Sequence, residues 1–362
     1  MSKFEGIKHY GLNSTLFING RFLTQQTTGV QSFARSVCAE LEKVCDYKLV
    51  VPAKAILPDA AFNNRIIRTG NLQGHLWEQM HLPVFMSRQR GTVLLNLCNT
   101  APAILKNQVV TVHDLAFMKD NNWFNPVFSK YYSLLVPLIT KRSKAVVTVS
   151  EAVKKEIADS LNIPENKIHV AGNKVQNSLL NTLSQAPNLK EIVSKKFFLM
   201  VGSRDPRKNF SMAELLFAEK FPEYNLVIAG GKANTFKNNT ITESHPNCIS
   251  LGYTNESELR WLYEHALALI NPSLYEGFGI PNLEAFAFEC PVLCSDLPVF
   301  REICGDAAGY FHPQQPETLF SQINNLLTNP SLTAEKTKLG KVIFTSIQQK
   351  DRSQILLKAI AL

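Results

Sequence analysis

The chain has 362 residues, of which 45% are hydrophobic, and it carries a formal net charge of +8. That length exceeds what one hydrophobic core usually supports, so the sequence predicts two domains. No apolar run reaches about 18 residues, which argues against a membrane-spanning helix.

Two features of the composition bear on the cellular compartment. The first residues, MSKFEGIKHYGLNS, lack the apolar core of a signal peptide, so we expect a cytoplasmic protein. The seven cysteines are odd in number and include no CxxC pair. This favours buried free thiols over metal ligands or disulfides, in keeping with a reducing compartment.

The positive charge is concentrated in the first half of the chain. Residues 1–185 contain 21 lysines and arginines against 12 acidic residues, whereas the remainder has 17 against 18. A basic half favours an anionic partner such as the inner face of a membrane, with a solvated basic surface as an equal alternative. No basic stripe with interleaved aromatic residues and no zinc-finger spacing occurs, so no nucleic acid partner is expected.

Apolar, β-branched stretches alternate with amphipathic ones in the first half. Two helices are predicted, at VQSFARSVCAELEKV and at SEAVKKEIADSL, where Ser150 is a good N-cap. The strands are predicted, in chain order, at 15–18, 47–51, 92–97, 108–114 and 145–150.

The second half repeats this alternation after a polar segment, 176–195, that predicts the domain boundary. Continuous apolar strands between helices indicate parallel sheets covered on both faces, so the predicted class is α/β with two doubly wound Rossmann-like domains. Ligands of such sheets bind beyond the carboxyl ends of the strands. Helical patterns of this half include ESELRWLYEHA, and the strands are predicted at 196–203, 225–231, 248–253, 267–273 and 291–296.

A basic cluster follows the first strand of the second half. KFFLMVGS leads directly into RDPRKNF, which places Arg204, Arg207 and Lys208 just beyond the strand. These cations suit a diphosphate, whose negative charge they would neutralise, although a solvated basic turn is an equal alternative. Another strand ends at Ala229 with Gly230–Gly231, a weak signal for close backbone approach.

The stretch PSLYEGFGIPNLEAF holds two carboxylates around a glycine turn. Gly277 and Gly279 allow backbone to approach a ligand, and Pro281 suits the first turn of a helix whose amino end attracts an anion. Glu276 and Glu284 would repel a phosphate, but each carboxylate suits a pair of neighbouring hydroxyls such as those of a sugar or ribose. The alternative is an ordinary loop with two exposed glutamates.

The residues from NPSLYEGFGIPNLEAF to GYFHP resemble the signature of family 4 of the retaining glycosyltransferases, which have the GT-B fold. VGSRDPRKNF resembles the phosphate-binding segment of that family, and the resemblance is close over about 197–313. It implies that Glu276 holds donor-sugar hydroxyls, Glu284 the ribose, and Arg207 and Lys208 the diphosphate. The donor-binding residues implied are Gly29, Gly202, Arg204, Arg207, Lys208, Glu276, Gly277, Phe278, Gly279, Ile280 and Glu284.

The same family resemblance assigns residues of the first half. INGRFLTQQTTGVQSFARSV is similar to the first glycine loop, which puts Gly29 beside the donor phosphate or the acceptor. QVVTVHDLAF resembles the segment with a histidine near the donor sugar, so His113 joins Arg207, Lys208 and Glu276 as implied catalytic residues, with Asp114 as a support. A bacterial polysaccharide-building subset suggests acceptor-side roles, against core or loop roles, for Trp77, Glu78, Asn99 and Thr100.

The resemblance implies retaining, metal-independent transfer of a hexose from a nucleotide diphosphate sugar to a glycan or lipid-linked oligosaccharide. GDP-mannose is the favoured donor and a UDP-sugar the alternative; no further cofactor is expected, and no Asp-x-Asp for a metal occurs. A non-catalytic sugar-nucleotide-binding subunit and a GT-B-fold epimerase are the rival functions. The predicted domains are 1–180, 190–340 and a C-terminal segment, 341–362, that packs back on the first domain.

Overall fold

The computed structural model describes residues 15–57, 60–120, 123–188, 196–231 and 245–361. The chain separates into two compact units. The first takes its described residues from 1–115, 130–173 and 351–362, and the second from 116–129 and 174–350. Part of the predicted boundary, 189–195, and the opening 14 residues lie outside the described part.

Thirteen strands and twelve α-helices occur within the described residues. The strands are β1 (Leu16–Asn19), β2 (Tyr47–Pro52), β3 (Ile66–Thr69), β4 (Leu94–Asn96), β5 (Gln108–Thr111), β6 (Ala145–Thr148), β7 (Ile168–Val170), β8 (Phe197–Val201), β9 (Asn225–Ala229), β10 (Cys248–Gly252), β11 (Leu269–Asn271), β12 (Val292–Ser295) and β13 (Ala308–Phe311). The helices are α1 (Gly29–Leu41), α2 (Gly74–Ser87), α3 (Pro126–Arg142), α4 (Glu151–Leu161), α5 (Asn177–Asn181), α6 (Phe210–Lys220), α7 (Glu256–His265), α8 (Ile280–Ala287), α9 (Pro298–Cys304), α10 (Pro316–Thr328), α11 (Pro330–Gln349) and α12 (Arg352–Ala361).

Each unit is built on one parallel sheet. The first sheet has the order β3-β2-β1-β4-β5-β6-β7, and the second has the order β10-β9-β8-β11-β12-β13. Helices cover both faces of each sheet. The central strands therefore bury side chains on both faces, and their sequences are continuous apolar runs. Among the helices of the described residues, none is long and apolar enough to cross a bilayer. The predicted class, α/β with two doubly wound domains, is confirmed.

All ten strands predicted from the sequence are present, and three further strands were not predicted. These are β3, β7 and β13, and each lies at the edge of its sheet. An edge strand is covered less completely than a central one, so its sequence carries a weaker apolar signal. The predicted N-cap is confirmed at Ser150, whose hydroxyl accepts a hydrogen bond from the backbone N–H of Val153 at 3.2 Å.

The last helix, α12, belongs to the first unit. Its buried Arg352 lies 1% exposed; Nη2 donates to Glu40 Oε1 at 2.6 Å and to the Ser36 hydroxyl at 2.5 Å. The same guanidinium lies 5.4 Å from the ring centroid of Phe33. All three partners lie on α1, so Arg352 fixes α12 to the beginning of the chain.

We expect Arg352→Met to destabilise the first unit by about 3 kcal/mol, because Glu40 would lose the cation that compensates its partial burial. Chemical denaturation followed by circular dichroism measures this change. Lys350→Met, an exposed change just before α12, is the matched control and should unfold like the wild type. An equal effect of both changes would contradict the anchoring role of Arg352.

Candidate functional site

The loop 272–279 connects β11 to α8 at the carboxyl edge of the second sheet. Gly279 has φ +91°, and a β-carbon there would lie 2.5 Å from Cε1 of Phe300, so the turn into α8 requires glycine. The loop is tied to the 3-10 turn 206–208 that follows β8. Leu274 N donates to Arg207 O at 2.8 Å, and Arg207 Nη1 donates to Tyr275 O at 3.0 Å.

Three predicted site residues meet at this junction. Glu276 pairs with Arg207, whose Nη1 lies 3.0 Å from Oε2, and with the ammonium of Lys208, which contacts Oε1. Burial alone would raise the pKa of the Glu276 carboxyl. The charges of Lys208 and Arg207 and the hydrogen bonds of Lys208 and Ser273 outweigh it and lower the pKa to about 2. Glu276 is therefore a carboxylate at any physiological pH.

A series of hydrogen-bonded, buried polar side chains fixes the position of Glu276. Ser273 Oγ lies 3.0 Å from Glu276 Oε1 and 2.8 Å from Asn271 Oδ1, and Asn271 Nδ2 donates to Asn282 Oδ1 at 2.9 Å. The chain thus links the end of β11 to the first turn of α8. The sequence interpretation missed these residues, although polar side chains at the end of the apolar strand LIN were a signal for them.

The glycines predicted near the phosphate site serve two purposes. Gly202 has φ +143°, a backbone conformation that favours glycine, and a β-carbon there would make only an ordinary contact, 3.4 Å, with Cε of Lys208. A β-carbon at Gly230 would collide with the carbonyl oxygen of Gly202. Gly230 therefore allows a close approach, as predicted, and the approaching group is the backbone at the end of the neighbouring strand β8.

Arg204 does not join the Arg207–Lys208 pair. Its Nη2 lies 2.7 Å from Glu214 Oε1 and its Nη1 lies 3.3 Å from Oε2, a two-pronged ion pair with α6. The basic segment thus supplies two cations to Glu276, and the third is held by another carboxylate. In the free protein Glu214 is thus the partner of Arg204, and the predicted contact of Arg204 with the donor stays a prediction.

Glu284 lies on α8, where Tyr263 of α7 donates a hydrogen bond from Oη to Oε2 at 2.7 Å. Burial raises the pKa of the Glu284 carboxyl to about 7; the hydrogen bond from Tyr263 opposes this shift, as does the charge of Lys208, and the charge of Glu256 adds to it. Burial, with the neighbouring Glu284, also raises the pKa of the Tyr263 hydroxyl. The hydroxyl is therefore a permanent donor that orients Glu284.

His113 and Asn99 lie together in the first unit. Asn99 Oδ1 accepts from the backbone N–H of His113 at 2.7 Å, and His113 Nε2 lies 2.9 Å from Leu97 O. Burial lowers the pKa of the imidazole, against the opposing effects of the Leu97 carbonyl and Asp114. A carbonyl can only accept, so Nε2 carries the proton and Nδ1 of the neutral ring is left as an acceptor.

Trp77 and Glu78 lie inside the first unit. The indole Nε1 of Trp77 donates to Thr69 O at 2.7 Å, and the side chain is fully buried. Glu78 Oε1 accepts from Asn19 at 2.7 Å, from Arg21 at 3.2 Å and from Thr100 at 3.1 Å. These contacts favour the core role over the acceptor-side role for Trp77, Glu78 and Thr100.

Gly29 is the first residue of α1. The backbone N–H of the preceding residue, Thr28, donates to Gln31 Oε1 at 3.1 Å, which caps this helix end. A β-carbon at Gly29 would meet no atom within 4 Å, so the space beside the helix end is open.

Sequence comparison gives two family matches, one in each half. Residues 28–176 match the family described as Glycosyltransferase Family 4, and residues 185–341 match Glycosyl transferases group 1. The second match contains Arg207, Lys208, Glu276 and Glu284, and the first contains His113. Together, the two matches therefore cover the candidate site residues of both units.

Individual relatives and solved structures agree with these matches. The O-antigen chain mannosyltransferase RfbU of Salmonella typhimurium is 27% identical over 334 residues, covering 86% of this chain and 90% of the relative. The O-antigen chain mannosyltransferase B of Escherichia coli is 25% identical, covering 66% of each. WaaG, a glycosyltransferase involved in lipopolysaccharide biosynthesis, superposes with a TM-score of 0.67 at 15% identity, covering 96% of this chain and 98% of WaaG. Anabaena HepE in complex with UDP-glucose superposes with a TM-score of 0.66 at 15% identity, covering 94% of this chain and 98% of HepE.

Glu284→Gln is expected to change how stability depends on pH. The folded protein binds the Glu284 proton more tightly than the unfolded chain does, so wild-type stability is retained at low pH and falls as the pH rises through about 7. Glutamine does not titrate, so the variant does not lose this part of its unfolding free energy as the pH rises. The unfolding free energy of the variant relative to wild type should therefore rise by about 3 kcal/mol between pH 4 and pH 8.

Denaturant titrations at several pH values measure this difference. Glu223→Gln, at an exposed position of the same unit, is the matched control and should keep a constant offset from wild type. A constant offset for Glu284→Gln as well would show that the carboxyl is not held protonated in the free protein.

Proposed function

We propose that this chain, which belongs to the glycosyltransferases with a Family 4 and a group 1 domain, is a hexosyltransferase. We propose further that the transfer retains the anomeric configuration. The donor is a nucleotide diphosphate sugar, with GDP-mannose favoured. The acceptor is a hydroxyl of a glycan or lipid-linked oligosaccharide in the synthesis of a bacterial surface polysaccharide. The enzyme acts in the cytoplasm, at the inner face of the membrane.

The observation that carries this proposal is the cluster of Glu276, Arg207 and Lys208 at the strand ends. In the free protein Glu276 pairs with both cations, and the buried Asp205, whose Oδ1 lies 3.5 Å from Nε of Arg207, supplies the second negative charge. A bound donor offers phosphate oxygens to the two cations and sugar hydroxyls to the carboxylate. All three groups would then exchange one partner for another. None of them would be left buried without a partner, which would be costly for a buried charge.

The second carboxylate fits the ribose. Ribose presents two neighbouring hydroxyls, and an ionised carboxylate accepts from both. Tyr263 already donates to Glu284 Oε2 and fixes its orientation. Because the pKa of Glu284 is raised to about 7 in the free protein, donor binding near neutral pH should release a proton from part of the population.

The chemical step needs charge stabilisation more than proton transfer from the protein. As the diphosphate departs, Arg207 and Lys208 stabilise its growing negative charge, in the role that a metal ion fills elsewhere. In the free protein the pKa of Glu276 is about 2, so the carboxylate enters the complex ionised and accepts hydrogen bonds from sugar hydroxyls. The leaving phosphate takes the proton of the attacking hydroxyl on the same face, and His113 Nδ1 accepts a hydrogen bond from a sugar or acceptor hydroxyl.

The choice of donor rests on the relatives. Mannose is favoured because the matched relatives include named O-antigen chain mannosyltransferases. UDP-glucose is the alternative, because HepE was solved in complex with it. A glycan acceptor accords with the O-antigen chain named for these relatives, and the proposed contact with the inner face of the membrane is supported by the basic first half.

Nucleotide binding should depend on Lys208. We expect GDP or UDP to raise the melting temperature of the wild type, because a ligand that binds only the folded state stabilises it. Lys208→Met removes a charge-assisted contact, so its affinity for the nucleoside diphosphate should fall about 10- to 100-fold. Lys220→Met, an exposed change on α6, is the matched control. Equal shifts in all three proteins would exclude Lys208 from the phosphate site.

Transfer itself is tested with purified protein, a panel of nucleotide sugars and a lipid-linked oligosaccharide acceptor. The expected result is release of nucleoside diphosphate with GDP-mannose and a product that keeps the donor's anomeric configuration by NMR. Glu276→Gln should lower the rate about 100-fold, whereas Glu289→Gln, an exposed neighbour, should not. A protein that binds nucleotide sugars but releases no diphosphate with any acceptor would be a binding subunit instead.

A further inference from the structure

Part of the second unit comes from the first half of the sequence. Residues 116–120 and 123–129 belong to the second unit, although the chain before and after them belongs to the first. This segment begins with the 3-10 turn Ala116–Met118, and its Phe117 and Trp123 are 3% and 8% exposed. The segment is therefore packed into the second unit, and we name its described residues the strap.

Two side chains of the strap contact Tyr275 in the loop 272–279. The rings of Trp123 and Tyr275 have centroids 6.2 Å apart, with an angle of 37° between their planes, which is within the range of an aromatic pair. The ammonium of Lys119 lies 5.7 Å from the centroid of the Tyr275 ring, within the range of a cation–π contact. We name Trp123, Lys119 and Tyr275 the aromatic clasp.

The backbone of Tyr275 is held separately, by Arg207. Arg207 Nη1 donates to Tyr275 O at 3.0 Å, and the same nitrogen lies 3.0 Å from Oε2 of Glu276, the next residue in the chain. One guanidinium nitrogen thus fixes both the peptide and the carboxylate. The aromatic clasp holds the same part of the loop through contacts that do not involve Arg207.

This shared anchor becomes weaker once a diphosphate binds. A guanidinium that turns toward phosphate oxygens weakens its contacts with Tyr275 and Glu276 together. Glu276 would then be least restrained when it must accept hydrogen bonds from sugar hydroxyls. A contact on Tyr275 that is independent of Arg207 keeps the neighbouring carboxylate in place at that step, and small displacements of a binding group are costly.

We propose that the aromatic clasp positions Glu276 for sugar hydroxyls while Arg207 binds the diphosphate, with Trp123 as the principal positioning residue. The inference rests on the proposed function, because that function gives Glu276 its sugar-binding role. A nucleoside diphosphate needs the two cations, whereas a nucleotide sugar needs Glu276 as well. Loss of the clasp should therefore weaken binding of the sugar-bearing ligand selectively.

Isothermal titration calorimetry of the full-length protein measures this selectivity. The affinity for GDP is compared with that for GDP-mannose, and the affinity for UDP with that for UDP-glucose. We expect Trp123→Leu to weaken binding of the nucleotide sugar about five- to tenfold, and binding of the nucleoside diphosphate less than about twofold. Trp123→Phe keeps an aromatic ring beside Tyr275 and should recover most of the loss.

Two further variants control for packing and folding. Trp261→Leu removes an indole of the same unit on α7, where the ring stacks on Phe197 with centroids 6.0 Å apart, and should keep the wild-type ratio of the two affinities. Lys119→Met is an exposed change that removes the cation of the clasp, so it tests the proposal even where Trp123→Leu does not fold. It should shift the ratio about twofold in the same direction.

An unchanged ratio in Trp123→Leu and Lys119→Met, or an equal change in Trp261→Leu, would overturn the clasp and leave the proposed function intact. An equal loss of affinity for both ligands would show a general packing role for Trp123 and would overturn the clasp as well. A wild type that binds both ligands but releases no diphosphate with any acceptor would contradict glycosyl transfer, while the ratio still decides the clasp. A wild type that binds neither ligand would overturn both.

Discussion

The second unit depends on the rule that a buried charge must have a partner. Glu276 is nearly enclosed, and its pKa of about 2 shows that Arg207 and Lys208 more than compensate for its burial. Much of the surrounding structure keeps these three side chains in place. Hydrogen bonds join the 272–279 loop, which follows β11, to the 206–208 turn, which follows β8.

Two glutamates eight residues apart have opposite electrostatic properties. Glu276 faces two cations, while Glu284 is buried against the neutral hydroxyl of Tyr263, and its pKa rises to about 7. Such a divergence often marks an acid and a base in catalysis. Here the two carboxylates fit two different hydroxyl groups of one ligand better, because the glycine turn and the amino end of α8 lie between them in the chain and suit phosphate.

The sequence was sufficient for ten of the thirteen described strands, and it singled out Glu276, Arg207 and Lys208, which the structure brings together. Central strands such as β5 and β8 are continuous apolar runs, and polar residues at their ends marked the ligand side. Spacing alone could not decide which cations face Glu276. Arg204 and Arg207 are only three residues apart, yet Glu214 on α6 takes the first. The supports Ser273 and Tyr263 were also missed, since their partners become neighbours only after the chain folds.

The mutual neutralisation of the free site imposes a condition on its ligands. An anion that drew Arg207 and Lys208 away without offering hydrogen-bond donors would leave Glu276 buried with fewer partners, at a cost of several kcal/mol. A polyol without phosphate would give the carboxylate new donors but nothing to the cations. A ligand that carries both phosphate oxygens and hydroxyls satisfies every group at once. The selection of such a ligand over a simple anion or a polyol thus arises from the same ion pairs that stabilise the free protein. A nucleotide sugar meets the condition.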